Sequence, residues 1–183
     1  MAKLVEDVYG NALFELAVEQ NRIDAFYEEA DGILAVLEAN PELTGMMTHP
    51  QIVKEEKLET IDTVFKGHIA DETLGLMRMV IEKDHFANME GIFHYFADRV
   101  KAYRNIGVCY VSTPVELSDA QKKAVEARLL DTTDYVSFEM HYAIEPELIG
   151  GMVIRIGDRV VDSSVKTKIE HLSRELSKTR INV

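Results

Sequence analysis

The sequence predicts an α+β protein in two parts. An all-α six-helix bundle occupies residues 1–105, and a smaller α/β domain with a short sheet occupies 106–183. Three observations lead there. A chain of 183 residues, 46% of them apolar, suffices for two small cores. The hydrophobic period shifts near residue 105 from about 3.6 to about 2. The charge shifts with it: residues 1–104 carry a net charge of −10, residues 105–183 only −2.

The elements follow in order. Over 4–19, Val5, Val8, Tyr9, Ala12, Leu13, Leu16 and Ala17 recur at helical spacing, with Lys3, Asp7, Asn11 and Glu15 on another face. A second helix over 22–39 repeats the pattern through Ile23, Phe26, Ala30, Ile33 and Leu37. Asn40-Pro41 ends it, because a residue before proline is pushed out of the α region, and Pro41 then opens a short turn over 42–47. His49-Pro50 is the next break. A helix over 51–65 follows, with Ile52, Leu58, Ile61, Val64 and Phe65 as its stripe and Gly67 as its stop. Asp71 is read as the cap of a fifth helix carrying Leu74, Met77, Val80 and Ile81 inward. A sixth over 86–104 buries Met89, Ile92, Phe93, Phe96, Val100 and Tyr103.

After Asn105 the pattern changes. Val108–Val111 is a short β-prone run stopped by Pro114. Ser118 and Gln121 form a capping box that opens a helix to about Leu130. Residues 135–144 alternate, with Val136, Phe138, Met140, Tyr142 and Ile144 on one side. Met152–Ile156 and Arg159–Val161 are two strands about the turn dipeptide Gly157-Asp158, and a last helix runs from about Ser163 to Ser177.

Composition narrows the function. A net charge of −12 opposes a sequence-independent grip on nucleic acid and is repelled by an anionic membrane surface. The single cysteine, Cys109, forms no internal disulfide and reads as a buried thiol in a reducing compartment. No run of eighteen apolar residues is present, and the acidic N-terminal stretch is unlike a signal or transit peptide.

Few constellations carry chemistry. Ser163-Ser164-Val165-Lys166 has the serine-x-x-lysine spacing of some acyl-transfer enzymes, where the lysine takes the nucleophile's proton. The companion motifs of those enzymes are absent, and serines also cap helix starts. Glu90 and His94 stand one helical turn apart, short of the three or four ligands that zinc needs. Gly150-Gly151 with Gly157 lacks the lysine and hydroxyl of a phosphate loop, and reads as backbone geometry. No metal or cofactor site is expected. The first helix stands out for an apolar arc wide enough to serve both a core and a groove for a partner's amphipathic helix.

Two stretches carry a resemblance. YGNALFELA at 9–17 resembles the opening motif of the delta subunit of bacterial rotary (F-type) ATP synthase, a family related to the mitochondrial oligomycin-sensitivity-conferring protein. LIGGMVIRIGDRVVDSSVKTKIEHL at 148–172 is similar to that family's C-terminal signature, and NPEL at 40–43 with His49-Pro50 matches its proline punctuation. Gly10, where the family usually has alanine, and His49, where asparagine is common, are departures.

The resemblance implies a non-catalytic stator subunit of a proton- or sodium-translocating ATP synthase, without cofactor. It would sit peripherally at the cytoplasmic face of the bacterial plasma membrane. The bundle would bind an N-terminal helix of the alpha subunit through its first and fifth helices, the C-terminal domain the b subunits of the peripheral stalk. Carried onto this chain, the alpha-facing residues are Tyr9, Ala12, Leu13 and Leu16, joined by Leu76, Met79 and Val80; Gly150, Gly151, Gly157, Asp158 and Ser164 shape the C-terminal unit and its stalk contact. In the last helix Lys166, Lys168, Arg174, Lys178 and Arg180 outweigh nearby acids and could steer an acidic stalk segment, solvated charge being the alternative reading. Two other functions compete: a helical adaptor of an unrelated complex, and a small serine-lysine hydrolase built on Ser163 and Lys166.

Overall fold

The computed structural model describes residues 2–179, and the chain divides after Lys101 into two compact units. The division falls in the last turn of a helix. In the first unit α1 spans Ala2–Glu19, α2 Ile23–Ala39, α3 Pro41–Thr48, α4 Lys54–Phe65 and α5 Asp71–Glu82. A 3-10 turn, Phe86–Asn88, leads into α6, Met89–Tyr103. Left-handed residues stop several of these helices: Asn21 after α1, Gly67 after α4 and Asn105 after α6 all have positive φ.

The bundle closes on one core. Leu13 and Ala17 of α1 meet Phe26, Ile33 and Leu37 of α2, Ile61 and Phe65 of α4, Met77 and Val80 of α5, and Ile92, Phe93 and Phe96 of α6. Side chains of this size, fully buried, each contribute about 1.5–3 kcal/mol. Gly10 is buried in this packing, and a Cβ there would come within 2.5 Å of Tyr95 Cδ1 and 3.1 Å of the Ile92 carbonyl oxygen. The glycine that looks costly in the sequence lets α1 lie close against α6. Asn11 then donates to the Tyr95 hydroxyl at 3.0 Å.

Three sequence expectations need correction here. Asp71 is the first helical residue of α5, not its cap; Ala70 holds the cap position, with no side-chain bond. The fourth helix begins at Lys54, since Pro50–Ile52 remains in a turn. Tyr103 and Val64 lie outside the core, at the ends of stripes that outrun the packing helices.

In the second unit β1 (Ile106–Thr113) leads through α7 (Asp119–Thr132) to β2 (Ser137–Ile144), which pairs parallel to it. A parallel pair needs such a crossover. After a 3-10 turn, Pro146–Leu148, β3 (Val153–Ile156) and β4 (Arg159–Asp162) form an antiparallel hairpin, giving strand order β2-β1-β3-β4. α8 is Val165–Thr179. The predicted capping box is formed, Ser118 Oγ accepting from the Gln121 amide while Gln121 accepts from the Ser118 amide. A small core of Cys109, Val111, Leu129 and Phe138 joins sheet to α7. The alternation of 135–144 overstates this core: Phe138 is buried, yet Val136 is 73% exposed and Ile144 is also exposed. β2 is an edge strand, and α7 covers only its middle.

Candidate partner-binding surfaces

α1 and α5 run antiparallel. Gln20 Nε2 at the end of α1 donates to Glu72 Oε1 at the start of α5 over 3.1 Å, and the Tyr9 and His85 rings lie 6.5 Å apart at the other end. The bond from its own backbone amide, and second the one from Gln20, hold the Glu72 carboxyl below the ordinary range. On the outer side of this pair Leu4, Val8 and Ala12 form an exposed i, i+4 row, flanked by half-buried Val5, Tyr9 and Leu16. On α5, Met79 is 51% exposed and Leu76 half-buried.

The structure separates the seven residues carried over for this surface. Tyr9, Ala12, Leu16, Leu76 and Met79 are at least partly accessible. Leu13, 1% exposed, and Val80, 0% exposed, belong to the core and offer a partner nothing in this conformation. The sequence reading places Val8 only within the broad apolar arc of the first helix and passes over Leu4; both are exposed. Their spacing with Ala12 was the available signal, a second apolar line on a helix whose core line was already complete.

In the second unit the signature residues build the base of α8. Gly151 has φ +76°, and a Cβ there would collide with the Ser163 carbonyl. The Gly150 carbonyl accepts from the Val165 amide at 2.9 Å. Ser164 is buried, its Oγ accepting from Thr167 N at 3.2 Å as a helix cap. Asp162 accepts from Thr167 Oγ1 at 2.7 Å and from Ser164 N at 2.8 Å, bonds that hold its carboxyl below the usual range, Thr167 foremost. Gly157 and Asp158 form the exposed β3–β4 turn. Of this set only Ser164 is buried; Gly150, Gly151 and Ser164 hold α8 in place, and the exposed turn has no such part.

What α8 presents was missed in the sequence. Ile169, Leu172 and Leu176 make an exposed apolar stripe at helical spacing, and Val160 and Val161 of β4 are exposed as well. Its charges are largely local, with Arg174 bonded to Glu170 and Lys166 to Glu147. Arg180 and the side chain of Lys178 lie outside the described residues.

The chemical candidates do not assemble. Ser163 Oγ donates to the Met152 carbonyl at 2.8 Å, while Lys166 Nζ reaches Glu147 Oε2 at 3.4 Å, so the two are turned to different partners. Among the described residues no group of three metal-ligating side chains occurs, and no helix is long and apolar enough to cross a membrane. Cys109 is buried, and burial raises its thiol pKa.

A helical bundle with an open apolar helix pair, joined in one chain to a sheet unit with an amphipathic helix laid bare, is the build of a subunit in a larger assembly. The comparisons give the assembly. The family model of the ATP synthase delta (OSCP) subunit matches residues 5–176, and the chain belongs to that family, whose members are stator components of the F-type ATP synthase. The ATP synthase subunit delta of Lachnoclostridium phytofermentans is 44% identical over 181 residues, covering 99% of this chain and 100% of the relative. That of Desulforamulus reducens is 31% identical over 172 residues, 93% and 94% of the two chains. A chain of the Toxoplasma gondii mitochondrial ATP synthase hexamer shares the fold, with TM-score 0.73 over 93% of this chain and 96% of that one, at 19% identity.

Proposed function

We propose that this subunit ties the alpha/beta catalytic head of the ATP synthase to its b-subunit peripheral stalk, without catalysis of its own, at the cytoplasmic face of the plasma membrane. The observation that carries this reading is the accessible apolar surface on α1 and α5: Leu4, Val8, Ala12 and Leu16 beside Leu76 and Met79. An amphipathic helix from the alpha N-terminus laid there buries apolar area at about 25 cal/mol per Å2, less the cost of ordering it. A joint that resists rotor torque needs slow dissociation, and affinity differences reside mostly in the off-rate. The acidic bundle adds selectivity for basic partner groups. The stripe of α8 and the β4 valines are the matching candidates for the b helices.

Titration with a peptide from the alpha N-terminus tests the first joint. Met79→Asp or Ala12→Asp, both at accessible positions, should weaken binding about tenfold or more, the equivalent of about 1.4 kcal/mol, with helicity retained. Unchanged affinity in these folded variants removes the groove from the proposal.

A further inference from the structure

We propose that Ile149 is a preorganised anchor for the stalk, held out of the second unit to enter the apolar face of a b-subunit helix lying along α8. This deepens the stalk reading given above and rests on it. Ile149 follows the 3-10 turn Pro146–Leu148 with φ +65° and ψ −41°, and the Gly150 amide donates to the Leu148 carbonyl over 2.7 Å. These values describe the rare three-residue turn with a positive central φ, which is strained for a residue that carries a Cβ. Among the described residues the other non-glycine positions of positive φ are Asn21, Asp84 and Asn105, types that tolerate it. A β-branched side chain does not.

The interior of the unit does not compensate this strain. Leu148 before the turn is 8% exposed, and Gly150 after it lies close against Val165, whereas Ile149 is 66% exposed. Glycine or asparagine would close the same turn without the steric conflict and without leaving hydrocarbon in water. Strain of this kind collects where a surface is set for a ligand. An isoleucine that neither the turn nor the core requires is accounted for by a contact outside the chain.

The surroundings define that contact. The Gly150 carbonyl accepts from the Val165 amide at 2.9 Å, and Glu147 Oε2 stands 3.4 Å from Lys166 Nζ, so the turn is tied to the first residues of α8. Ile149 thus sits at the end from which the exposed stripe of Ile169, Leu172 and Leu176 runs, within the reach of one partner helix. The acids beside it are engaged, Glu147 by Lys166 and Glu145 by Ser112 Oγ at 2.7 Å. Lys168, next to Ile169, has no ion pair among the described residues, while Arg174 is held by Glu170. The occupant is therefore an amphipathic helix whose apolar face is edged by a carboxylate.

Binding of the full chain to purified b subunit in detergent tests this, with a peptide from the alpha N-terminus as control. Ile149→Asn should weaken b binding about tenfold or more and leave the alpha peptide unaffected. The thermal midpoint of its second unit should be unchanged or raised, since asparagine accepts the turn. Ile149→Gly should behave alike, and Lys168→Glu should lose more affinity at low salt than at high. Leu172→Asp, on the stripe, tests the stalk reading itself. Loss of binding by Leu172→Asp but not by Ile149→Asn overturns the anchor and keeps the stalk reading. Loss by neither, or no binding by the unaltered chain, overturns both. A lowered midpoint in both Ile149 variants also overturns the anchor, because the fold would then need the isoleucine. An unmoved affinity in Lys168→Glu overturns the carboxylate edge.

Discussion

At Gly10 the same residue is unfavourable by one measure and required by another. Helix propensity favours alanine there by about 1 kcal/mol. Against that stands a 2.5 Å approach to Tyr95, whose hydroxyl is held by Asn11, and a 3.1 Å approach to a backbone carbonyl that has little room to yield. Overpacking of this kind costs about 1–3 kcal/mol. Gly10→Ala should therefore lower the denaturant midpoint of the bundle, and Tyr95→Ala in the same chain should recover part of the loss. An additive double-mutant cycle would show that the two residues do not share the contact. Leu13 and Val80 make a related point about legibility. Periodicity put both on apolar stripes, correctly, but a stripe does not say which of its lines faces the core and which faces outward. That choice is made by the neighbouring helices, and their positions are not written in either segment alone.

Elements end where their neighbours stop covering them. The fragments that sequence placed well, α1, α2 and the capping box of α7, carry signals complete within a few residues: a long period, a proline break, a serine three before glutamine. β2 and α8 lie where the sequence predicts them, but which of their faces stay uncovered is illegible for the opposite reason. Alternation in β2 is real, but a single helix covers only part of an edge strand. In α8 charged residues stand between Ile169, Leu172 and Leu176, so its composition reads as polar although one face is apolar. At the base of α8, Asp162 supplies a prediction. Its folded carboxyl titrates below the ordinary aspartate range because Thr167 and Ser164 donate to the ionised form. The stability it adds is complete above the unfolded pKa, about 3.9, and disappears as pH falls through the lower folded value. Asp162→Asn should flatten the acid limb of C-terminal-unit stability below about pH 4, read as thermal midpoint against pH. An unaltered slope would assign the limb to other carboxylates.

Across the whole molecule the two units are unequal in their interiors. The bundle encloses Phe26, Phe93, Phe96 and a shell of large aliphatic residues, whereas the second unit closes on Cys109, Val111, Leu129 and Phe138. Burial of apolar area is the dominant stabilising term, so the second unit should unfold at the lower temperature. Calorimetry should resolve two transitions, and labelling of the Cys109 thiol, buried in the fold, should follow the first of them. A single transition with thiol exposure at its midpoint would mean that the units unfold together.

The bare stripe of Ile169, Leu172 and Leu176 has a cost during biosynthesis. A copy made in surplus over whatever covers that helix keeps three large aliphatic side chains in water, and they are as ready to meet another surplus copy as the proper mate. Balanced production of the subunits is thus a solubility requirement imposed by about two turns of exposed hydrocarbon.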